Sequence, residues 1–273
     1  NLSRDFQQNY ETVFFNHFLK NDGEGEIDFP EASMYDSGAR EWDSYAQWPP
    51  KAAETKSFYL GADQKLTENA IADYANAFVS DPSKPVPYSE DIKMVFTPRK
   101  YMTDDQRFAA RRPDVLVYET EVLDEDMTIT GEILAKLKVA TTGTAADWVV
   151  KVIDVYPNDA KDYPETQKYL KMGNYHMMVR SEVMRGRFRE SFRAPKAFEP
   201  NQKTEVDLTL QGVNHTFLKG HKVQIQIQST WFPLIDRNPQ TFVPNIYKAS
   251  AEDFQKQTHT VFGDSEIQFN VLK

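Results

Sequence analysis

The chain has 273 residues, of which 40% are hydrophobic and 13% aromatic, and this composition argues against a disordered protein. A formal net charge of −9 argues against a nucleic-acid partner, because binding the phosphate backbone needs concentrated positive charge. No apolar run approaches the roughly 20 residues of a membrane span, and the absence of cysteine excludes disulfides and thiolate metal sites.

The first predicted element is an amphipathic helix within residues 4–22, RDFQQNYETVFFNHFLKND. Its apolar side chains recur at helical spacing among polar neighbours: Phe14, Phe15, Phe18 and Leu19. Fully burying one such side chain stabilises a fold by roughly 1.5–3 kcal/mol, so we expect the stripe to be covered. The candidates to cover it are the segment that carries Trp42 and Trp48, a second chain, or a further domain.

The next segment leads to a predicted domain boundary. A polar turn, NDGEGE at 21–26, is followed by EASMYDSG at 31–38, which predicts a short strand that ends at a glycine. REWDSYAQWPP at 40–50 closes in two prolines, which stop regular structure and favour extended polyproline geometry. We therefore predict one domain at residues 1–50 and a second at residues 51–273.

Beyond residue 50, apolar and polar residues alternate in several short stretches, which predicts half-buried antiparallel strands. The clearest stretch is KVQIQIQS at 222–229. Its predicted buried face carries Val223, Ile225 and Ile227, and its other face carries Gln224, Gln226 and Gln228. The same pattern recurs at 132–139, 205–210 and 266–271. WVVKVIDVY at 148–156 is apolar on both faces and should be central, and the whole series predicts a mainly-β sandwich or jelly roll.

Two stretches do not fit the strand pattern. TENAIADYANAFVSDPSKPVPYSEDI at 67–92 is long, polar and rich in proline, and NDAKDYPETQKYLKMGNYHM at 158–177 is a second long connection. Loops of this length are usually functional or hold a neighbouring element, so we predict that both are loops of that kind.

Motifs for catalysis, cofactors and metals are missing from the sequence. There is no G-x-S-x-G elbow, no H-E-x-x-H, no P-loop and no G-x-G-x-x-G. Ser265 in GDSE precedes a predicted strand and lacks the context of a nucleophile. The histidines have no metal-ligand spacing with a carboxylate, so each is interpreted as a surface or core residue: His17, His176, His215, His221 and His259. We predict no catalytic residue, no cofactor and no metal ligand in this chain.

Two charged clusters each have two interpretations. The acidic ETEVLDEDM at 119–127 is either a calcium loop or a solvated turn, and the missing D-x-D-x-D-G spacing favours the turn. In the basic RSEVMRGRFRESFR at 180–193, strand alternation predicts one face that bears Arg185, Arg187 and Arg189. That face would either bind an anionic ligand or be salt-bridged and solvated, and the acidic balance of the chain favours the second interpretation.

STWFPLIDRNPQTF at 229–242 is an apolar strand end that runs into an Asn-Pro turn. Trp231 and Phe232 should point to opposite faces, so one of the two is expected to leave the inner core. An exposed aromatic side chain there would be either a carbohydrate platform or an interdomain contact, and we favour a core or contact role. Phe232 and Arg237 are therefore candidate contact residues.

Several long segments together resemble one domain family. They are DQRFAARRPDVLVYETEVLDEDMTITGEILAKLKV at 105–139, DWVVKVIDVYP at 147–157, RGRFRESFRAPKAFEPNQ at 185–202 and HTFLKGHKVQIQIQSTWFPLIDRNPQTF at 215–242. They resemble the C-terminal jelly-roll domain of serine hydrolases that include X-prolyl dipeptidyl-peptidases, cocaine esterase, glutaryl acylases and α-amino acid ester hydrolases. The segments DPSKPVPY and DQRF look most like the α-amino acid ester hydrolase and glutaryl acylase branch.

The resemblance implies a galactose-binding-like jelly-roll β-sandwich, preceded by a helix and a strand that belong to an α/β-hydrolase domain. In that group, a helix like residues 11–20 and a connection like residues 31–50 follow the catalytic histidine. The catalytic triad would then lie upstream of residue 1, and the hydrolase domain would be the main partner, with a homo-oligomer as a further expectation. The implied interdomain or interchain contact residues are Phe14, Phe15, Phe18, Trp42, Trp48, Phe232 and Arg237.

The leading functional hypothesis is a non-catalytic C-terminal domain that braces a serine hydrolase and walls one side of its active site. The alternatives are a carbohydrate-binding jelly-roll module and a purely structural or oligomerisation domain. An exposed row of aromatic side chains in a groove would favour the carbohydrate module, and a polar surface everywhere would favour the structural domain. The resemblance also leads us to expect a periplasmic or secreted protein.

Overall fold

Two antiparallel sheets that share one apolar core dominate the computed structural model, which describes residues 2–20, 27–91 and 99–272. The helices are α1 (Leu2–Phe6), α2 (Thr12–Lys20) and α3 (Arg107–Ala110), and a π turn at Gln7–Glu11 joins α1 to α2. The strands are β1 (Ala32–Asp36), β2 (Glu41–Tyr45), β3 (Glu54–Leu60), β4 (Leu66–Thr67), β5 (Ala75–Ser80), β6 (Val115–Glu119), β7 (Met127–Thr141), β8 (Asp147–Val155), β9 (His176–Arg185), β10 (Thr204–Phe217), β11 (Lys222–Gln228), β12 (Gln257–Phe262) and β13 (Glu266–Leu272).

The larger sheet has seven strands in the order β4-β3-β13-β7-β12-β5, with β10 paired to β7 off this path. The smaller sheet has four strands in the order β6-β11-β8-β9. Strands that are distant in sequence are neighbours in both sheets, as expected for a jelly roll rather than a series of simple hairpins. The structure confirms the predicted mainly-β jelly-roll sandwich.

Alternation places the core between the two sheets. On β10, Val206, Leu208 and Leu210 are buried while the residues between them face solvent. The predicted inward residues of β7 and β13 are buried in the same cluster, which includes Leu137 and Phe269, except for Val271, which is half-buried and packs against it. The predicted central strand is also confirmed, because β8 lies between β11 and β9 and all nine of its residues are buried.

Strand β11 differs from its prediction, because it is buried on both faces. Gln224, Gln226 and Gln228 are as inaccessible to solvent as the isoleucines between them. The segment around α3 covers this face, and the side-chain amide of Gln226 donates to the backbone oxygen of Gln106 (3.2 Å) and to Oε1 of Gln224 (2.8 Å). Alternation reports which face is polar, but it does not report whether the polar groups find partners inside the protein.

The stretch 67–92 is also more regular than predicted. Residues 75–80 form β5, which pairs with β12 and buries Phe78 and Ser80. Strand β5 has only one inward aromatic residue, Phe78, among polar and proline-rich neighbours, so its sequence does not show the alternation that predicts a strand. The other predicted long connection is irregular from residue 158 to residue 175, and β9 begins at His176.

The N-terminal part contains the predicted helix and strand, and one strand that the sequence did not indicate. β2 pairs with β1 in a separate two-stranded hairpin, so Trp42 lies opposite Tyr35. The predicted polar turn at 21–26 lies outside the described residues. In the part of the chain that the structure describes, no helix is long and apolar enough to cross a bilayer.

Candidate interdomain contact surface

Helix α2 presents an apolar stripe to solvent. Phe14 is 45% exposed, Phe15 47%, Phe18 58% and Leu19 73%. The rings of Phe14 and Phe18 contact each other, with centroids 4.7 Å apart, and Phe14 also meets Phe15 edge to face. The stripe is therefore preassembled, but most of its surface is uncovered within the chain.

The tryptophan-bearing segment contacts a different part of the helix. The rings of Phe6 and Tyr10 lie 6.3 Å and 5.2 Å from that of Trp42, and Nε1 of Trp42 donates a hydrogen bond to Asp5 (2.9 Å). Of the alternative covers for the stripe, this segment contacts Phe6 and Tyr10, whereas Phe14, Phe15 and Phe18 stay close to half exposed or more within the chain. Their contact with a second chain or with another domain stays a prediction.

The π turn at Gln7–Glu11 explains why the aromatic side chains before α2 contact Trp42 and those on α2 do not. A π turn takes more residues per turn than an α-helix, so it rotates the residues that follow it relative to those before it. Phe6 and Tyr10 consequently contact the ring of Trp42, whereas Phe14 and Phe15 line an open groove next to that contact. A regular α-helical projection from the sequence places these aromatic side chains on one face and misses the rotation.

A groove of about 380 Å³ runs between the helix and the segment before the hairpin. It is lined by Phe6, Tyr10, Glu11, Phe14, Phe15 and Phe29. Phe29 closes one side, with its ring 5.7 Å from that of Tyr10. Exposed contiguous apolar surfaces of this kind occur at protein and membrane interaction sites and in ligand-binding grooves, so this groove is the candidate contact surface.

Asp36, the last residue of β1, fixes the hairpin to the sandwich. Its carboxylate accepts hydrogen bonds from the backbone N–H groups of Gly38, Ala39 and Thr216 and from Oγ1 of Thr216, at 2.5–3.0 Å. Burial raises the pKa of Asp36, but these hydrogen bonds lower it further, so the pKa lies below its ordinary value. Gly38 permits the close approach, since a Cβ there would lie 1.9 Å from the carbonyl oxygen of Thr216.

A second buried polar contact joins the hairpin to both sheets. Ser37 Oγ lies 2.8 Å from Nδ1 of His215, whose Nε2 lies 3.4 Å from Asp154, and Asp154 also contacts Nδ1 of His221 at 2.8 Å. Ser37 contacts His215, and His215 contacts Asp154, which is the order of contacts in the serine-histidine-aspartate triad of a hydrolase. However, Nε2 of His215 and Oδ2 of Asp154 form no hydrogen bond, and the N–H groups that follow Ser37 donate to Asp36. No oxyanion hole is left, so this contact is structural.

Trp48 lies between the hairpin and the sandwich. Its ring packs 5.4 Å from that of Tyr45, whose hydroxyl donates to Oδ1 of Asn214 (3.0 Å) on β10. Burial, with the charge of Asp43, raises the pKa of Tyr45 to about 12. The Tyr45 hydroxyl therefore stays protonated at neutral pH and keeps its donor role.

The predicted split between Trp231 and Phe232 is confirmed. Trp231 is 3% exposed and packs in the interior, whereas Phe232 is 40% exposed. The guanidinium of Arg237 lies 5.7 Å from the Phe232 ring and donates to the backbone oxygen of Pro82 (3.1 Å). These two candidate contact residues thus lie together, beyond the end of β11 and apart from the helix.

The basic cluster is not a sheet face, which corrects the prediction. β9 ends at Arg185, and residues 186–188 form a 3-10 turn. Arg185 pairs with Asp236, while Arg189 donates to backbone oxygens, including that of Ala197 at 3.0 Å. Gly186 ends the alternation, because a Cβ there would lie 2.5 Å from the carbonyl oxygen of Ala146.

The remaining polar candidates have structural contacts. Ser265 is fully buried, and its Oγ accepts from the N–H and donates to the oxygen of Lys138. In the acidic stretch, Glu119 pairs with Lys222 and Glu121 with Lys65. Within residues 2–20, 27–91 and 99–272, no group of three or more histidine or carboxylate side chains is arranged to hold a metal ion.

One polar site was not indicated by the sequence. Lys151, in the middle of β8, is fully buried, and its Nζ donates to Oε1 of Gln106 (3.0 Å) and lies 4.7 Å from the ring of Trp231. The signal was present as a single lysine in an apolar run, opposite Gln226 in the neighbouring strand. Such a lysine needs a polar partner, but its sequence context does not identify one.

Comparison with known proteins gives a family match over most of the chain. The model of the X-Pro dipeptidyl-peptidase C-terminal non-catalytic domain matches residues 26–269. Cocaine esterase from Rhodococcus sp. (strain MB1 Bresler) is 27% identical over 239 residues, which cover 84% of this chain and 39% of the esterase.

Two solved structures superpose on nearly the whole chain, each with a TM-score of 0.89. One is an α-amino acid ester hydrolase that is 39% identical to this chain. The match covers 99% of this chain and 45% of the ester hydrolase. The other is an aminopeptidase from a marine sediment archaeon, Thaumarchaeota archaeon, 38% identical, with 98% of this chain and 44% of that chain covered. The chain therefore spans less than half the length of these relatives.

Proposed function

Because the chain belongs to the family of X-Pro dipeptidyl-peptidase C-terminal non-catalytic domains, we propose that it is the C-terminal part of a serine hydrolase, bound to a catalytic domain through helix α2. The observation that carries this proposal is the apolar groove along the helix. Its lining is almost entirely aromatic, and Phe14 and Phe15 remain close to half exposed in the isolated chain. A catalytic domain on this face would bury the stripe.

The proposed activity of the whole protein is cleavage of an ester or amide next to an α-amino-acyl group, through an acyl-enzyme. The named relatives, an ester hydrolase, an aminopeptidase and cocaine esterase, support a hydrolase of this general kind. The nucleophile, its base and the acid would all lie outside this chain. The chain itself would brace the catalytic domain and wall one side of the active site.

The hairpin supports the bracing role. It is attached to the sandwich by a buried carboxylate at Asp36 and by the contact of Ser37 with His215, so it cannot pivot freely. The helix is in turn attached to the hairpin at Trp42. A domain that packs on the helix would therefore keep a fixed orientation relative to the sandwich. The proposed domain boundary at residue 50 follows the hairpin in the chain.

The groove is less suited to a carbohydrate. Sugar recognition combines an aromatic platform with several hydrogen-bonding groups, and sites that orient polar ligands need such groups at defined positions. Here the polar lining groups are limited to Glu11 and the hydroxyl of Tyr10. An apolar protein surface is the better match.

The test compares this chain with a longer protein that includes the coding sequence upstream of Asn1. We expect a G-x-S-x-G elbow upstream, and we expect the longer protein to hydrolyse an activated amino-acyl ester and to react with a fluorophosphonate. The 273-residue chain alone should show only background hydrolysis, and Ser265→Ala should leave that background unchanged. An upstream sequence without a serine nucleophile, or turnover by the short chain that Ser265→Ala abolishes, would contradict the proposal.

The contact itself is tested by Phe15→Glu with Phe18→Glu in the longer protein. The two charges should separate the domains and lower both activity and thermal stability. The matched control is Val79→Glu with Val122→Glu, since these side chains are similarly exposed, at 48% and 56%, but lie on the sandwich. Equal effects of the two pairs would show that the helix has no special contact.

Two further parts of the proposal concern the whole protein. We propose that it is periplasmic or secreted and that it forms a homo-oligomer, as the family resemblance implies. Cell fractionation with an antibody against the chain tests the first, and sedimentation of the longer protein tests the second. Recovery in the cytosol, or a monomer at every concentration, would contradict the respective part.

A further inference from the structure

The two most exposed aromatic side chains in the described part of the chain belong to loops of the sandwich and not to the helix. Tyr247 is 87% exposed and Phe192 is 78% exposed. They belong to two different loops, one that follows β9 and one that leads into β12. Aromatic rings exposed to this degree are unfavourable in water, and they are enriched where proteins bind one another.

Contacts between the two loops make one continuous surface. The Phe192 ring stacks on Phe188 at 6.0 Å, and the guanidinium of Arg187 lies 5.7 Å from Phe188 and 4.4 Å from Phe242 of the other loop. Arg187 also donates to the backbone oxygen of Val243 at 2.9 Å. Tyr247 lies near enough to Arg185 to interact with it electrostatically. We call this the aromatic-arginine surface, formed by Arg185, Arg187, Phe188, Phe192, Phe242 and Tyr247.

The charges on this surface are unevenly compensated. Arg185 forms ion pairs with Asp236 and, at 3.6 Å, with Asp147. Arg187 has no carboxylate within salt-bridge distance in the described ranges, although its charge acts at longer range on the buried carboxylate of Asp147, and it is held in place by two rings and one carbonyl. A guanidinium that is held between aromatic side chains without a direct ion pair is typical of residues that dominate binding energy at interfaces. The complementary surface would be apolar, with a carboxylate opposite Arg187.

The position of the surface limits the size of any single partner that covers both it and the helix. Arg185 contacts Asp147 at the start of β8, whereas the hairpin contacts Asp154, near the end of β8, through His215. The surface and the hairpin therefore contact opposite ends of one strand, at residues roughly 22–24 Å apart at the usual rise per residue. Two such distant contacts need a partner of domain size.

We propose that the aromatic-arginine surface is a second contact with the same upstream catalytic domain that covers helix α2, and that the domain places a carboxylate opposite Arg187. More than half of the length of each solved relative lies outside the part that this chain covers. A domain of roughly 300 residues has a radius of gyration of about 19 Å, so it spans both ends of β8. The inference rests on the proposed function, and it adds where the catalytic domain is held.

The test is hydroxyl-radical footprinting of the 273-residue chain and of the protein extended upstream. In the short chain, Tyr247 and Phe192 should be oxidised rapidly. In the longer protein both should be protected several-fold, together with Phe14 and Phe15. Protection of the helix with unchanged oxidation of Tyr247 and Phe192 would overturn this inference and leave the proposed function standing. No protection of either region would contradict both.

Dilution separates the upstream domain from a second copy of the chain. If Tyr247 and Phe192 become protected in the short chain as its concentration rises, the occupant is another copy, and the inference is wrong.

Variants give an independent measure. Tyr247→Ala should lower the melting temperature of the longer protein by a few degrees and leave that of the short chain unchanged, because the side chain is almost free there. Tyr169→Ala is the matched control, at 71% exposure, and should change neither; equal shifts for both variants would count against the inference.

Discussion

Lys151 is a buried amine in the centre of an apolar strand, and burial lowers its pKa to about 7. Its hydrogen bond to Gln106 and its place over the Trp231 ring hold the side chain, but they do not compensate a positive charge as a carboxylate would. An unfolded chain keeps a lysine protonated up to about pH 10.4. Between pH 10.4 and 7 the unfolded state thus binds a proton that the folded state does not, so folding stability falls as the pH is lowered through that window.

We predict that Lys151→Met raises the free energy of unfolding more at pH 6 than at pH 10. Each pH unit of pKa shift corresponds to about 1.4 kcal/mol, so the difference between the two pH values should reach a few kcal/mol. The loss of the hydrogen bond to Gln106 is the same at both pH values and cancels. Urea titrations at the two pH values measure the free energy of unfolding. Lys136→Met, at an exposed position, is the control. An equal effect at both pH values would show that the amine is not desolvated.

Asp36 has the opposite dependence. Its lowered pKa means that the ionised carboxylate stabilises the folded state at neutral pH, and that this stability is lost as the pH falls through the folded pKa. Asp36→Asn should therefore cost about 2 kcal/mol at pH 7, where it removes charged hydrogen bonds, and progressively less in acid as the carboxyl of the folded protein becomes protonated. Calorimetry at neutral and acid pH measures the change. Asp63→Asn, on the surface, is the control, and a cost that does not shrink in acid would refute the assignment.

At the scale of elements, strand β11 offers the clearest test of register. Ile225 is fully buried in the main core, as its alternation predicts. Ile225→Ala should lower the free energy of unfolding by about 2–5 kcal/mol, from lost apolar burial and the cavity left behind. Chemical denaturation measures it, with Thr209→Ala on the solvent face of β10 as control. An unchanged melting temperature in Ile225→Ala would mean that the register is wrong.

The strands differ in how far they could be predicted. Over the stretches 132–139, 205–210 and 266–271, β7, β10 and β13 have one face in the core and the other at least partly in solvent, so a period of two suffices to find them. Gln224 and Gln226 on β11 look like solvent-facing residues, because their burial depends on a covering segment more than 100 positions away. Arg187 and Arg189 were misplaced because Gly186 ends β9 by a close approach to another loop, which is a tertiary effect.

The contact surface was also only partly predictable. The stripe on α2 follows from helical spacing alone, and the need for a partner follows from its size. Which aromatic side chains meet Trp42 depended on the π turn before α2, and helical periodicity does not reveal such a turn. The aromatic-arginine surface joins residues of two loops, so no single stretch of sequence contains it.

For the molecule as a whole, we predict that the 273-residue chain self-associates in solution. Helix α2 leaves four large apolar side chains exposed, and surfaces of this kind tend to find a partner. Light scattering at increasing concentration should show growth in average mass, and Phe15→Glu with Phe18→Glu should return the chain to a monomer. Val79→Glu with Val122→Glu should not. A wild-type chain that stays monomeric at high concentration would contradict the prediction.

The position of β13 in the larger sheet has a consequence for biosynthesis. This strand, at Glu266–Leu272, lies between β3, at Glu54–Leu60, and β7, and it supplies Ile267 and Phe269 to the core. Until the ribosome has translated the roughly 200 residues between β3 and β13, the edge of β3 that pairs with β13 has no neighbour. The sandwich thus closes only after residue 272 has left the exit tunnel, and until then the nascent chain exposes two unpaired strand edges. Chaperones that bind extended apolar segments would find their substrate here, during that interval.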